Sequence, residues 1–406
     1  MMKRIYLDHA ATTQLDPAVK KAMEPFWSVD FGNASSIYEE GRVAKKAISD
    51  ARHKVSEILS ARPDEIIFTS SGTESDNLAI FGSVGTERDQ ISLRTSHNKR
   101  AKSNFPHIIT SSIEHHAVLH ACEKLEKEGF EVSYLDVDKD GLVDLEELKK
   151  ELRKETILVS IMYANNEIGT IQPISRIAKI IRAHRKEHGV ETPYFHTDAI
   201  QTPSFLDLNV AKLGIDLMSL NGSKIYGPKG VGCLYKKRGL KIEPILYGGG
   251  QESGLRPGTE NIPAIVGFAE ALEVAQKERE KESARLIELR NYFIENLSKT
   301  FPDSKINGSL DARLPNNINI SFHGVEGESI ILYLDAKGIA SSTGSACSSD
   351  SLEPSHVIKA IGRCHEHVHG SVRFSLGKEN TKEDIDYVLK VLPDIINKLK
   401  NISSIK

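Results

Sequence analysis

The sequence predicts an α/β fold built on a mostly parallel sheet. Apolar runs of strand length alternate with helical patterns along the chain, which is the arrangement of β-α-β units. At 406 residues the chain is also longer than one hydrophobic core usually supports, so two domains are expected. A composition of 39% hydrophobic and 27% charged residues is that of an ordinary soluble globular protein.

The predicted elements follow one another in a regular order. Apolar residues recur at helical spacing from Ala44 to Ile58, and another helix is predicted over 174–188. A long helix rich in Glu and Lys extends from 261 to 299 and leads into further strands and helices. The polar, basic residues 86–104 have no periodicity and are interpreted as a surface insertion. Buried strands are predicted at 66–69, 107–110, 157–161 and 194–197.

Charge and hydropathy argue against two kinds of partner. A formal net charge of −3 gives no electrostatic footprint for direct binding of nucleic acid or of an anionic membrane. No apolar run approaches the roughly 20 residues that span a bilayer, and no apolar signal segment is expected at the N-terminus. The four cysteines stand far apart, which favours a reducing cytoplasm. Cys122 and Cys233 lie in apolar runs and are expected in the core.

Two segments match metal-binding patterns. Residues 136–147 carry aspartate, glycine and glutamate at the spacing of an EF-hand calcium loop. The segment 130–135 before them alternates like a strand, so a strand, a turn at 140–141 and a helix capped by Asp144 are expected instead. The histidine-rich segment 364–369 suggests zinc, because alternation along a strand puts its three histidines on one face. Three such close histidines crowd a tetrahedral site, so no metal is expected there.

Three segments that follow predicted strands carry residues suited to a cofactor. The run 69–75 opens a helix, where small residues let backbone N–H groups approach an anion, although a plain N-cap is the alternative. Asp198 ends a buried strand, where a carboxylate needs a cation such as a protonated pyridine nitrogen, unless it only caps the next helix. Lys224 precedes a Gly-Pro turn; a Schiff-base lysine needs such a tight site, but a solvated charge is the commoner role.

Segments along the whole chain resemble those of the cysteine desulfurases, pyridoxal-phosphate enzymes of the class V aminotransferase group. Ten segments match in family order, at 6–13, 71–75, 114–115, 165–169, 198–201, 224–230, 248–252, 256–261, 344–347 and 373–377. The resemblance implies fold type I, with a large domain at 15–262 that contains a mostly parallel seven-stranded sheet. It also implies a smaller C-terminal α/β domain, formed by 1–14 and 263–406, which carries the loop of the catalytic cysteine.

The resemblance implies a role for each residue around pyridoxal 5′-phosphate. Lys224 forms the Schiff base and moves the α-proton, while Asp198 keeps the pyridine nitrogen protonated. Gln201 contacts the phenolate oxygen of the ring, and His115 stacks on the ring and assists proton transfer. The implied phosphate and other cofactor contacts are Gly72, Thr73, Asn166, Asn221, Ser223 and, from the second subunit of a homodimer, Thr259. Ser223 stands where the family often has histidine, and its hydroxyl can still donate to phosphate.

The substrate and sulfur sites are also implied by the resemblance. Asn166 and Arg373 hold the carboxylate of L-cysteine, with Arg373 as a bidentate fork. Cys347 attacks the substrate sulfur and carries it away as a persulfide. The small residues of 340–350 suit a mobile loop, whereas a free cysteine is more often a small buried hydrophobe. Whether Cys347 also ligates a transient iron–sulfur cluster is left open by the sequence.

The implied reaction converts L-cysteine to L-alanine and passes sulfur to an acceptor protein for iron–sulfur cluster assembly or tRNA thiolation. Selenocysteine lyase shares the scaffold and stays open as an alternative, given the context 255–261 and the insertion at 86–104. A non-catalytic scaffold that binds assembly partners is the alternative from another class. Lys224, Asp198 and Cys347 argue against it, because a scaffold needs none of them.

Overall fold

This computed structural model describes residues 4–85, 106–344 and 354–402. The segment 86–104 lies outside the described residues, and so does Cys347. Within those three ranges, no helix is both long enough and apolar enough to cross a membrane.

The described chain begins with a short strand, β1 (Ile5–Tyr6), which lies apart from the central sheet. Seven of the described strands form that sheet in the order β2-β8-β7-β6-β5-β3-β4, and only β8 runs antiparallel to its neighbours. The mostly parallel sheet and the four predicted buried strands are therefore confirmed. The seven are β2 (Ile66–Thr69), β3 (His107–Ser111), β4 (Glu131–Leu135), β5 (Thr156–Ser160), β6 (Tyr194–Asp198), β7 (Leu217–Asn221) and β8 (Gly232–Lys236).

Helices pack against this sheet and bury its apolar side chains. They are α1 (Pro17–Met23), α2 (Pro25–Ser28), α3 (Glu39–Leu59), α4 (Gly72–Ser83), α5 (His116–Lys127), α6 (Leu145–Glu151), α7 (Ile174–His188), α8 (Val210–Leu213) and α9 (Ile262–Thr300). The three helices expected from apolar spacing are confirmed as α3, α7 and α9. In α3 the apolar stripe, which includes Ala44, Ile48 and Val55, faces the core, as amphipathic spacing predicts. Cys122 and Cys233 are buried, as expected.

A second apolar cluster surrounds two smaller sheets. β1 pairs in parallel with β11 (Ile339–Ala340), whereas β9 (Lys305–Ile306), β10 (Asn317–Ser321) and β12 (Ser371–Ser375) form an antiparallel sheet. The helices of this region are α10 (Gly327–Asp335), α11 (His356–Ala360), α12 (His365–Val368) and α13 (Lys382–Ile402). Helix α9 contributes Phe268 to the first cluster and Phe293 to the second. The division into domains at residue 262 stays a prediction.

The expectation that three histidines share a strand face at 364–369 is wrong, because the segment folds as the helical turn α12. The backbone N–H groups of His367 and Val368 both donate to the carbonyl of Cys364, and the turn spreads the rings. His365 lies beside His369, while His367 faces Cys364 and the carbonyl of Asp303. In the described ranges, no group of three or more potential ligands is arranged to hold a metal ion.

The segment that resembles a calcium loop has the predicted strand, turn and helix. It runs from β4 through a turn at Gly141, where φ is +79°, to α6. Asp138 accepts backbone N–H groups from Asp140 (2.9 Å) and Leu142 (3.0 Å), and Asp144 caps α6. These carboxylates are therefore used to hold the turn and the helix. A strand on the entering side replaces the helix that an EF-hand requires.

We accordingly predict that residues 136–147 bind no calcium at micromolar concentration. Titration calorimetry of the full chain with calcium chloride should give no heat of specific binding. A micromolar site that disappears in Glu147→Gln, which removes the carboxylate at the last loop position, would contradict this prediction.

Candidate active site

The predicted site residues converge where five strands of the central sheet, β2, β3, β5, β6 and β7, end at one edge. The loops that leave this edge carry Gly72 and Thr73 after β2, His115 after β3, Asn166 after β5, Asp198 and Gln201 after β6, and Asn221, Ser223 and Lys224 after β7. In open α/β sheets this edge is where ligands bind, because the loops there are free to surround them.

Asp198 is the buried acid of this edge. Its side chain lies at the end of β6, and its Oδ1 accepts the backbone N–H of Ile200 at 2.9 Å. Burial raises the pKa of Asp198 to about 6, while the Ile200 hydrogen bond and the charge of Lys224 act in the opposite direction. A buried carboxylate of this kind is stabilised by a cationic partner, which is what a pyridinium nitrogen provides.

Lys224 ends a short 3-10 helix, Gly222–Lys224, directly after β7. The Oδ1 of Asn221 accepts the backbone N–H of Ser223 at 2.8 Å, which closes this turn. The Nζ of Lys224 donates to the carbonyl of Ala11. The half-buried ammonium also affects the pKa values of both Asp198 and His115, so it lies within electrostatic range of both.

The N-terminal segment 6–13 fastens these loops together. Thr13 donates through its backbone N–H (2.9 Å) and its hydroxyl (3.1 Å) to the carbonyl of Ser223. Gln201 donates through Nε2 to the carbonyl of Ala10 at 3.0 Å, next to the carbonyl that Lys224 uses. The side chains of Gln201 and Lys224 are thereby held by consecutive carbonyls of one segment.

Helix α4 provides an anion cradle beside the lysine turn. Ser71 caps this helix by accepting the N–H of Glu74 at 3.1 Å, which leaves the first N–H groups directed outward. A Cβ at Gly72 would lie 2.2 Å from Cδ1 of Ile200 and 3.4 Å from Cβ of Asn221, so any other residue there would have to displace the side chain of Ile200. The helix N-terminus and the hydroxyls of Thr73 and Ser223 are suitable donors for a phosphate.

His115 is held as a neutral ring with a defined tautomer. Its Nδ1 accepts the backbone N–H of Ala117 at 3.1 Å, which caps α5 and leaves the proton of the neutral ring on Nε2. Burial lowers the pKa of His115 to about 4, with further contributions from His116 and Lys224. A neutral imidazole is well suited to stack on an aromatic ring.

Arg373 lies on β12 and is 1% exposed. Its Nη2 donates to Oδ1 of Asp8 at 2.8 Å, and its Nη1 donates to the carbonyl of Asn166 at 2.9 Å. Its Nε has no hydrogen-bond partner in the described part of the chain. The structure thus brings Arg373 to the backbone of Asn166 and adds Asp8 as its partly buried counter-ion.

Sequence reasoning assigned no role to three acids at this edge. Glu114 directly precedes His115, and burial together with the charge of Asp198 raises its pKa to about 8. Burial and the same charge raise the pKa of Asp76, on α4, well above its ordinary value. Asp8 pairs with Arg373. None of the three lies in a strand or helix predicted from apolar spacing, so the sequence carried no signal of their burial.

Two predicted residues are not part of this cluster. Thr259 is exposed, and no hydrogen bond joins it to the other described site residues. Its segment is fastened to the phosphate cradle by an ion pair between Nε of Arg256 and Oε1 of Glu74, 3.0 Å apart. Cys347 lies outside the described residues, between Gly344 and Pro354, which are the nearest described residues on its two sides.

Comparisons with known proteins agree with this architecture. The model of the class V aminotransferases matches residues 5–388. The chain is 52% identical over 406 residues to "Cysteine desulfurase IscS" of Dictyoglomus turgidum, covering 100% of this chain and 98% of that protein. It is 51% identical to the protein of the same name from Methanosarcina thermophila, covering 99% and 94%. The solved structure of a "NIFS-LIKE PROTEIN" matches with a TM-score of 0.87 at 37% identity, covering 98% and 100%.

The fold, the site and these matches define a class V aminotransferase. Within that class, the chain belongs to the cysteine desulfurase family. Pyridoxal phosphate is the cofactor of these enzymes, and the residues present fit it. The cradle at Gly72 suits the phosphate, buried Asp198 suits the pyridine nitrogen, and Lys224 lies within electrostatic range of Asp198. These relatives favour a desulfurase over a selenocysteine lyase or a non-catalytic scaffold.

The raised pKa of Asp198 predicts a pH-dependent stability of the cofactor-free protein. In the unfolded chain this carboxyl ionises near pH 4, whereas in the folded chain it ionises near pH 6. The folded state therefore binds the proton more tightly, and stability falls as the pH rises between these values. We expect Asp198→Asn to be more stable than the wild type by roughly 2–3 kcal/mol at about pH 8, but not at about pH 4.

Urea unfolding of both cofactor-free proteins at the two pH values measures this difference. Glu65→Gln, which changes a buried acid away from this edge, is the control and should add no pH-dependent gain. An equal effect of Asp198→Asn at both pH values would contradict the assignment of a raised pKa.

Proposed function

We propose that this protein removes the sulfur from L-cysteine, releases L-alanine and carries the sulfur as a persulfide on Cys347. The observation that supports this most strongly is the convergence of Asp198, Lys224 and His115 beside the cradle at Gly72. Pyridoxal phosphate needs an acid beside its pyridine nitrogen, an amine that can attach to it and a ring that stacks on it. A solved relative titled "SspA in complex with cysteine", 35% identical to this chain, is consistent with cysteine as substrate.

The bound cofactor supplies an electron sink for the bonds around the substrate's α-carbon. Asp198 would keep the pyridine nitrogen protonated, and Gln201 would contact the phenolate oxygen. Gly72, Thr73, Asn221 and Ser223 hold the phosphate end. His115, neutral because of burial, covers one face of the ring with its proton on Nε2. Lys224 would hold the cofactor, and its Nζ would move the α-proton of the substrate.

Asn166 and Arg373 hold the substrate carboxylate. The guanidinium is already directed by Asp8 and by the carbonyl of Asn166, so it loses little side-chain entropy when the carboxylate binds. Its Nε and the second hydrogens of Nη1 and Nη2 are the remaining donors. Arg373 is backbone-paired with Ser342, which precedes Cys347 by five residues in the chain.

Cys347 completes the reaction by nucleophilic attack. Its thiolate forms an S–S bond with the substrate sulfur as the carbon–sulfur bond of the substrate breaks. The electron pair of that bond stays with the organic fragment, which takes up a proton to become alanine. The persulfide then passes its outer sulfur to an acceptor protein that serves iron–sulfur cluster assembly or tRNA thiolation, in the cytoplasm.

The active unit is a homodimer in which Thr259 reaches the phosphate of the second subunit. Thr259 is exposed, and no described side chain of its own subunit binds it. Large apolar side chains are exposed at positions before α3 and before the Thr259 segment, as a partner surface requires. They are Trp27, Val29, Phe31, Ile37, Tyr38, Leu246 and Tyr247. The large domain at 15–262 carries the cofactor, and the small domain carries Arg373 and Cys347.

Arg373→Ala is predicted to weaken cysteine binding while the cofactor stays bound. The variant removes charge-assisted hydrogen bonds to the substrate carboxylate, so kcat/KM should fall about tenfold to a hundredfold. Steady-state alanine formation measures kcat/KM, and absorbance measures cofactor content. Arg373→Lys keeps the charge but not the fork, so its kcat/KM should lie between those of the wild type and Arg373→Ala. An unchanged kcat/KM in Arg373→Ala would remove this residue from the substrate site.

Cys347→Ser is predicted to keep the cofactor and to bind cysteine, but to lose persulfide and nearly all alanine formation. The hydroxyl of serine is too weak a nucleophile to accept the sulfur. Mass spectrometry of the protein after one turnover detects the persulfide, and an alanine assay detects the product. Cys364→Ser, which changes an exposed cysteine outside the site, is the matched control. Full cysteine desulfuration by Cys347→Ser would show that another group accepts the sulfur.

A further inference from the structure

The carboxylate of Glu167 touches both described ends of the segment that contains Cys347. Its Oε2 accepts the hydroxyl of Ser355 at 2.6 Å. On the other end, a Cβ built at Gly344 would lie 2.6 Å from the same Oε2, so the backbone of Gly344 lies directly against the carboxylate. Residues 345–354 connect Gly344 to Ser355.

Glu167 is rigidly held through its backbone. Its N–H donates to Oδ1 of Asn165 at 2.8 Å. Its carbonyl accepts the side-chain amides of Asn317 (3.0 Å) and Asn319 (3.1 Å), which lie on β10. The residue is 2% exposed. The side chain is therefore free to serve a purpose other than holding its own turn, and its removal leaves the backbone contacts in place.

The contact of Ser355 with the carboxylate is directional, and that of Gly344 is a close packing contact. The oxygen of Ser355 accepts the N–H groups of Val357 (3.1 Å) and Ile358 (3.2 Å), so its single proton is directed to Glu167. Gly344 is buried and has no space for a side chain on the face toward Glu167. A charge-assisted hydrogen bond in a buried place is among the stronger polar contacts.

The same short turn carries the substrate contact. Asn166 directly precedes Glu167, and its carbonyl accepts Nη1 of Arg373 at 2.9 Å. Arg373 in turn exchanges backbone hydrogen bonds with Ser342, two residues before Gly344. One rigid element therefore fixes both the residues that receive the substrate carboxylate and the two ends of the cysteine-bearing segment.

We propose that Glu167 is a positioning residue for sulfur transfer, which sets the ends of the Cys347 segment at a fixed place relative to the substrate carboxylate. This inference rests on the function proposed above. Glu167 takes no part in proton transfer and does not contact the cofactor. Its loss slows the step in which the thiolate reaches the substrate sulfur and leaves the preceding binding steps intact.

The test compares Glu167→Ala and Ser355→Asp with the cofactor-loaded wild type. An aspartate at this N-cap can still cap α11, but its carboxylate repels that of Glu167, so Ser355→Asp breaks the contact without removing the cap. Both variants should have the same cofactor content as the wild type. They should also reach half of the absorbance change caused by cysteine at the same cysteine concentration as the wild type. Persulfide formation in a single turnover should slow at least about tenfold, as expected for the loss of a charge-assisted hydrogen bond.

Two further variants separate positioning from folding. Ser355→Asn caps the helix and can donate an amide N–H to Glu167, so it should restore most of the rate. Glu65→Gln changes a buried glutamate that accepts only the backbone N–H groups of Arg62 and Arg238, and it should behave as the wild type. If Glu167→Ala fails to fold, the pair Ser355→Asp and Ser355→Asn gives the answer.

A wild-type rate of persulfide formation in Glu167→Ala and Ser355→Asp would overturn the inference. Parallel losses of cofactor content or cysteine affinity would also overturn it, because Glu167 would then serve only the fold. Failure of the proposed function itself has a separate signature, since the wild-type protein would then form neither alanine nor persulfide from cysteine.

Discussion

Burial of the Asp198 carboxylate is the constraint on which the site depends. An ionised carboxyl in this position costs free energy, as its raised pKa records, and the cost is offset only when a cation lies close to it. Lys224 supplies part of that charge because β6 and β7 are parallel neighbours, with Asp198 opposite Ser219. Glu114 and Asp76 are buried at the same edge, and their raised pKa values favour their protonated forms, so Asp198 is the acid there that would meet a protonated pyridine ring.

The segment 6–13 connects this edge to the rest of the molecule. It contributes Tyr6 to the smaller parallel sheet, Asp8 to Arg373, and the carbonyls of Ala10 and Ala11 to Gln201 and Lys224. Arg373 and Lys224 are thereby both held by one short segment of the chain. Helix α9, which enters both apolar clusters, gives the two regions a second, independent connection.

Apolar periodicity was sufficient to predict strands and helices of the central sheet, and the spacing of motifs was sufficient to identify the family. Neither pattern could show that Arg373 pairs with Asp8, because the two residues are 365 positions apart and meet only in the folded chain. The burial of Asp76 and Glu114 also depends on tertiary packing. At 365–368 local hydrogen bonding to Cys364 produced a helical turn where residue alternation alone suggested a strand.

The attachment point of the cofactor tests the central claim most directly, since the charge of Lys224 acts on both Asp198 and His115 at the edge that also carries the cradle at Gly72. Borohydride reduction of the cofactor-loaded protein, followed by proteolysis and mass mapping, identifies the lysine that becomes irreversibly modified. The arrangement of the site predicts that the modification lies on Lys224, and that Lys224→Ala yields no modified peptide. Modification of a different lysine, or a reconstituted protein without a cofactor chromophore, would contradict this account.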